Sequence, residues 1–175
     1  MNTKNTRFIT TCAISIALTY LFTWVVRVPG PVTGGLVHLG NVPFFITSIL
    51  LGPTPGAIAG AVGMGLFDIT SGWGAWAPIT IITGIIMGLG MGKITHKKFS
   101  FNKLMLAFIF ALIIKVCGYY IGECIMYKSM AAPLASIPGN IIQILFASII
   151  VTLIINPIKK ALTSCLLYTS PSPRD

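Results

Sequence analysis

Few residues in this sequence are equipped for polar chemistry, and their spacing is regular. Lys115, Tyr119 and Glu123 stand at i, i+4 and i+8, so on a helix they share one face. Asn140 and Gln143 are three apart and share another. Asp68, His38, Asn41, Trp73 and Trp76 complete the set. A carboxylate beside amides supplies directional hydrogen bonds, and Tyr and Trp rings supply stacking surface for a small polar, aromatic molecule. Each residue also has a plainer use. Lys115 and Glu123 are too far apart on one helix to pair directly, but each can pair with a neighbouring helix. Trp73 and Trp76 can be interface aromatics. Asp68 can cap a helix end, Asn140 and Gln143 can tie helices together, and a loop histidine such as His38 can simply be solvated.

Catalytic patterns are missing. There is no G-x-x-x-x-G-K-[ST] phosphate loop and no H-E-x-x-H metal motif, and both histidines fall between apolar stretches. No enzyme activity, cofactor or metal is implied. The four cysteines, Cys12, Cys117, Cys124 and Cys165, form no C-x-x-C pair and read as small packing residues.

The elements that must position the polar residues are apolar. Of 175 residues, 55% are hydrophobic and only 9% charged, whereas a soluble domain carries about 25% charged residues. Twelve Lys and Arg against three acids give a net charge of +9. These cations sit between apolar stretches, so membrane topology and anionic headgroups account for them better than nucleic acid does. A spanning helix needs about 20 apolar residues. The pattern places spans at Phe8–Val26, Val42–Leu51 (short), Ala57–Thr70, Trp76–Gly92, Leu104–Tyr127 and Ile137–Ile155. A Gly/Pro loop from Val28 to Asn41 follows the first span, and residues 52–56, Gly-Pro-Thr-Pro-Gly, read as a breaker before the third. The basic start and apolar run of the N-terminus lack a small-x-small cleavage site and read as a retained helix.

The fold class expected is therefore an all-α membrane protein, a six-helix bundle in one domain over residues 1–162. Residues 163–175 change character and read as a non-native or disordered tail. Three basic groups (Lys4 and Arg7; Lys93, Lys97, Lys98 and Lys103; Lys159 and Lys160) fall on one side if three helices separate Asn41 from Lys93. Both termini would then be cytoplasmic, and the polar residues would gather toward the outer face. Glycines at 84, 88 and 92, glycines at 56 and 60, and alanines at 13 and 17 recur every fourth residue and mark faces where helices approach closely.

Several local motifs resemble a known family. They are Val37-His38-Leu39-Gly40-Asn41, Leu51-Gly52-Pro53-x-x-Gly56-Ala57-x-Ala59-Gly60, Trp76-Ala77-Pro78 and Ile137-Pro138-Gly139-Asn140-x-x-Gln143, with Ala13-x-x-x-Ala17 on the first helix. Over Phe8 to Leu162 the chain is similar to the substrate-binding (S) component of energy-coupling factor (ECF) vitamin transporters. The branch it resembles takes thiamine-precursor pyrimidine, pyridoxine or riboflavin-type substrates. The resemblance implies capture of a vitamin from outside a prokaryotic cytoplasmic membrane. It also implies assembly with a transmembrane coupling (T) subunit, packed on Ala13 and Ala17, and two cytoplasmic ATPases. Substrate contacts would come from Glu123, Asn140, Gln143, Tyr119, Lys115, His38, Asn41, Trp76 and Asp68. A stand-alone secondary transporter or channel for a small polar solute is the alternative, though no internal repeat favours it.

Overall fold

The computed structural model describes residues 3–29, 36–96 and 99–168. The basic residues Lys97 and Lys98 and the loop tip at 30–35 lie outside them. Six helices form the bundle: α1 (Thr3–Val25), α2 (Asn41–Leu51), α3 (residues 53–70), α4 (Ala77–Thr95), α5 (Phe101–Tyr127) and α6 (Ile137–Tyr168). Four of these elements are long and apolar enough to cross a bilayer, and α2 is a shorter apolar helix.

The side chains are sorted for a lipid surround. Ile9, Ile14, Leu18 and Leu21 of α1 are exposed while Ser15, Thr19 and Thr23 are buried, the reverse of a soluble amphipathic helix. Thr23 turns inward at little cost because its hydroxyl bonds back onto its own helix, to the Thr19 carbonyl at 2.7 Å. The buried Thr19 Oγ1, by contrast, has no partner among the described residues. The apolar core gathers Phe44 and Phe45 of α2, Met87 and Met91 of α4, Leu104 and Phe108 of α5 and Val151 of α6.

The first loop is more ordered than its Gly/Pro content implied. Its described ends pair as an antiparallel ribbon, β1 (Arg27–Pro29) with β2 (Leu36–His38), with Arg27 opposite His38. Asn41 belongs to α2 and not to the loop. The expected breaker at 52–56 also narrows to one residue. Gly52, at φ 99°, makes the turn, and Pro53 then opens α3 at a position where its missing N–H has no helical partner. Starting at Pro53 instead of Ala57 gives α3 18 residues, about 27 Å.

Within α3, Ala59–Met64 is a π turn between Pro53–Ile58 and Gly65–Thr70. The glycine stripes of α3 and α4 face each other. A Cβ on Gly84 would lie 2.8 Å from the Gly60 carbonyl carbon, and Gly88 and Gly92 meet the Ala57 and Pro53 backbones as tightly. Only glycine permits so close a seam.

At the far end, α6 runs on to Tyr168, so residues 163–168 continue the helix where composition led us to expect a tail. Residues 169–175 lie outside the described set. Cys12 is buried as a packing residue should be, but Cys117 is exposed on the apolar outside of α5.

Candidate functional site

The ribbon end of the bundle collects the polar residues. The end of α3, the start of α4, the second half of α5 and the start of α6 converge there, and a cavity of about 70 Å³ lies between them. His38, Asp68, Trp76, Lys115, Tyr119, Glu123, Asn140 and Gln143 all line it. The i, i+4, i+8 face of α5 thus turns inward as its spacing required.

Glu123 is fixed at both carboxylate oxygens. Trp76 Nε1–H donates to Oε1 at 2.9 Å, and the Ser136 hydroxyl donates to Oε2 at 2.6 Å. Ser136 comes from a short 3-10 turn, Ala132–Ser136, that leads into α6. Asp68 sits across the cavity and accepts from the Thr80 hydroxyl at 2.5 Å. Thr80 has a single proton and spends it on Asp68, so Tyr119 O–H donates to Thr80 Oγ1 at 2.6 Å. The result is a fixed row of hydroxyls ending on a carboxylate.

Lys115 is the deepest charge in the site. It is 2% exposed, lies about 12 Å along the helix from Glu123, and its ammonium stands 4.0 Å from the centre of the Tyr119 ring. Among the described residues no carboxylate forms a direct ion pair with it. Asp68 and Glu123 act on it through the field across the cavity. A buried cation held by a ring face and two distant carboxylates is costly to keep unless something polar occupies the space between them.

Asn41 is placed differently from the rest. It is fully buried on α2 behind the cavity wall, where its Nδ2 donates to Gln143 Oε1 at 3.2 Å. Its own Oδ1 has no partner. Asn41 therefore orients Gln143 and does not itself line the cavity.

His38 is not the solvated loop residue its position suggested. Only 8% of it is exposed, and its Nδ1 accepts from the Gly40 N–H at 3.2 Å. Burial first, and the Lys115 charge second, hold its pKa down to about 3. The ring is neutral near pH 7, and with Nδ1 accepting, Nε2 carries the proton.

Besides the expected Trp73, three lining residues lay outside the candidate set: Phe67, Ser136 and Gly139. Trp73 packs edge-on against Trp76 at 5.1 Å, and this pair forms an aromatic wall. Phe67 joins the cavity to the ribbon, lying 6.2 Å from the His38 ring and 5.8 Å beneath the Arg27 guanidinium. Ser136 and Gly139 come from the approach to α6 and its first turn. Thr80, the central hydroxyl of this row, was also missed. Phe67 follows the π turn, which breaks the 3.6-residue phase of α3 and so hides its face from simple periodicity. A serine or threonine gives little signal by itself.

Ala13 and Ala17 lie far from the cavity in character. Both are exposed on the outer face of α1, so the chain itself does not use this small-residue face for packing. Among the described residues no three His, Cys, Asp or Glu side chains gather as metal ligands.

A helical membrane bundle with a polar pocket at one end defines a class of solute-binding membrane proteins. The sequence matches the family model described as ECF-type riboflavin transporter, S component, over residues 3–160. The chain belongs to this family. It is 29% identical over 149 residues to the thiamine precursor transporter HmpT of Lactococcus lactis subsp. cremoris (strain MG1363), covering 83% of each chain. It is 27% identical over 121 residues to a Pyrococcus woesei protein described only as an uncharacterized protein in a gap 3' region. That match covers 69% of this chain and 80% of the relative. The fold matches the crystal structure of the S-component for biotin from an ECF-type ABC transporter. The TM-score is 0.63 at 20% identity, covering 91% of this chain and 94% of that one.

Proposed function

We propose that this chain is the substrate-binding subunit of an ECF-type importer, capturing a small water-soluble vitamin or vitamin precursor from outside the cytoplasmic membrane. A transmembrane coupling subunit and two cytoplasmic ATPases then drive its delivery. The observation that carries this reading is the pocket. Two carboxylates, a lysine, two amides and a neutral imidazole are buried around one cavity with an aromatic wall, in a protein whose outside is apolar. Polar groups at membrane depth are expensive, and a packing role would not bring so many to one space.

The ligand favoured is a single-ring heteroaromatic, a thiamine-precursor pyrimidine or a pyridoxine. The Trp73–Trp76 wall and Tyr119 offer ring faces, while Glu123, Asn140 and Gln143 offer acceptors and donors for ring nitrogens and substituents. The clustering of the basic groups favours a topology with both termini in the cytoplasm and the ribbon outside. The exposed Ala13 and Ala17 face is the proposed seat of the coupling subunit.

Thermal-shift titration of the purified chain with pyrimidine, pyridine and flavin vitamins tests the substrate. Stabilisation by a single-ring compound supports the assignment, and stabilisation by flavin alone overturns it. Ala13→Trp should leave that binding intact and prevent co-purification of the coupling subunit. Normal assembly of the variant removes this face from the contact. Uptake by the chain alone, unaffected by ATP depletion, would sink the importer reading.

A further inference from the structure

A second concavity lies outside the pocket, on the membrane-facing side between α5 and α6, with a volume of about 390 Å³. Met105, Phe108 and Leu112 form its α5 wall, and Ile144, Ser148 and Thr152 the base of its α6 wall. The two hydroxyls do not make it polar. Ser148 bonds back to the Ile144 carbonyl and Thr152 to the Ser148 carbonyl, both at 2.7 Å, so the surface presented is hydrocarbon. Ile149 and Leu153 rise at its edge, 59% and 72% exposed. From residue 144 to 153 the groove runs about 14 Å along the helix, close to the depth of one leaflet of a ~30 Å hydrocarbon core.

The chemistry changes at one end only. Continuing along α6 past Thr152 come Asn156, Lys159 and Lys160, all exposed. Lys159 is in line with the base of the groove and Lys160 with its rim residues Ile149 and Leu153. At about 100° per residue, Lys159 falls about 60° from Ile144, between Ser148 at about 40° and Thr152 at about 80°. The Lys159 ammonium lies 4.7 Å from the centre of the Phe99 ring, just before α5 begins. A contact in space therefore places this cation where the two walls of the groove meet. An apolar slot one leaflet deep, followed by an amide and two cations, repeats the order of an anionic phospholipid from chain to headgroup.

We infer that this groove is a binding site for an anionic phospholipid, with one acyl chain between α5 and α6 and the phosphate at Lys159 and Lys160. The cationic end favours a lipid over a protein helix. A lipid phosphate meets both cations at the end of the groove, which an apolar helix does not.

The test uses the full chain in detergent, titrated with phosphatidylglycerol or phosphatidylcholine of identical acyl chains and read by native mass spectrometry. Phosphatidylglycerol should be retained about tenfold more tightly, and Lys159→Ala with Lys160→Ala should bring it to the phosphatidylcholine level. Ile149→Trp, which fills the groove, should lower retention of both lipids. Leu106→Trp, on an exposed face of α5 about 140° from Phe101, should change neither. Equal retention of the two lipids by the wild type overturns the proposal. So does an Ile149→Trp variant no different from Leu106→Trp. Loss of the coupling subunit from Ile149→Trp with lipid retention unchanged would make the groove a protein interface instead. The lysine pair lies on the surface, so the charge comparison stands even if the tryptophan variant fails to assemble.

Discussion

The two halves of α5 show how differently one helix can be buried. From Phe101 to Ala111 its inward residues are Leu104, Ala107, Phe108 and Ala111, packed on Phe45 and the methionines of α4. From Lys115 onward the inward residues are Lys115, Tyr119 and Glu123. The outward face stays apolar throughout, with Ile109, Ile113, Ile121 and Ile125 all more than half exposed. In lipid the hydrophobic effect gives the inner face no reason to be apolar, so packing decides one half and chemistry the other. The lower half should respond to changes of volume, and the upper half to changes of charge and hydrogen bonding.

The largest effect should come from the glycine seam of α3 and α4 beside the packed half. Gly88→Leu forces a side chain into the Ala57 backbone across the α3–α4 seam, and backbone cannot yield as a flexible side chain can. Overpacking of this kind costs about 1–3 kcal/mol or more. Size-exclusion chromatography should show most of the variant aggregated, and any folded remainder should melt well below wild type. A variant with a wild-type melting temperature would mean that the seam opens easily.

Next comes the polar half. Glu123→Gln keeps the side chain's shape but loses its charge, and Ser136 loses an acceptor. A hydrogen bond to a charged group contributes about 1.5–3 kcal/mol, so binding of the vitamin should weaken about tenfold to a hundredfold with expression unchanged. Asn140→Ala should cost about tenfold by the same titration, since one neutral contact is lost. Unchanged affinity in both variants would place the ligand elsewhere. Lower stability without a binding defect would make the cluster a structural one.

These halves were not equally legible in the sequence. The α5 face was readable because an unbroken helix preserves the i, i+4, i+8 relation, and the glycine stripes were readable for the same reason. What escaped depended on departures from regular helix. The π turn of α3 moved Phe67 out of phase, and the 3-10 turn before α6 delivered Ser136 to Glu123. Paired ends turned a Gly/Pro loop into a ribbon. Asn41 was legible as a polar residue near the pocket. Its place behind the wall depends on α2 beginning one residue earlier than the apolar run.

His38 offers the finest test of the boundary between the two regimes, because it lies on the ribbon and is buried against the pocket without belonging to a helix. Its folded pKa of about 3 is below the ordinary value of 6.5, so between these limits the unfolded chain binds the extra proton. The contribution of the neutral ring is therefore complete above about pH 6.5 and is lost as pH falls toward 3. Melting temperatures measured from pH 7.5 to 4.5 should fall for the wild type, while His38→Gln, which cannot take up that proton, should show a shallower decline. At pH 7.5 the two should differ by only a few degrees, the loss of one buried contact. Parallel curves would mean that the ribbon lifts at low pH and hydrates the imidazole before it is protonated. In that case the burial of His38 belongs to a movable cover and not to the fixed pocket wall.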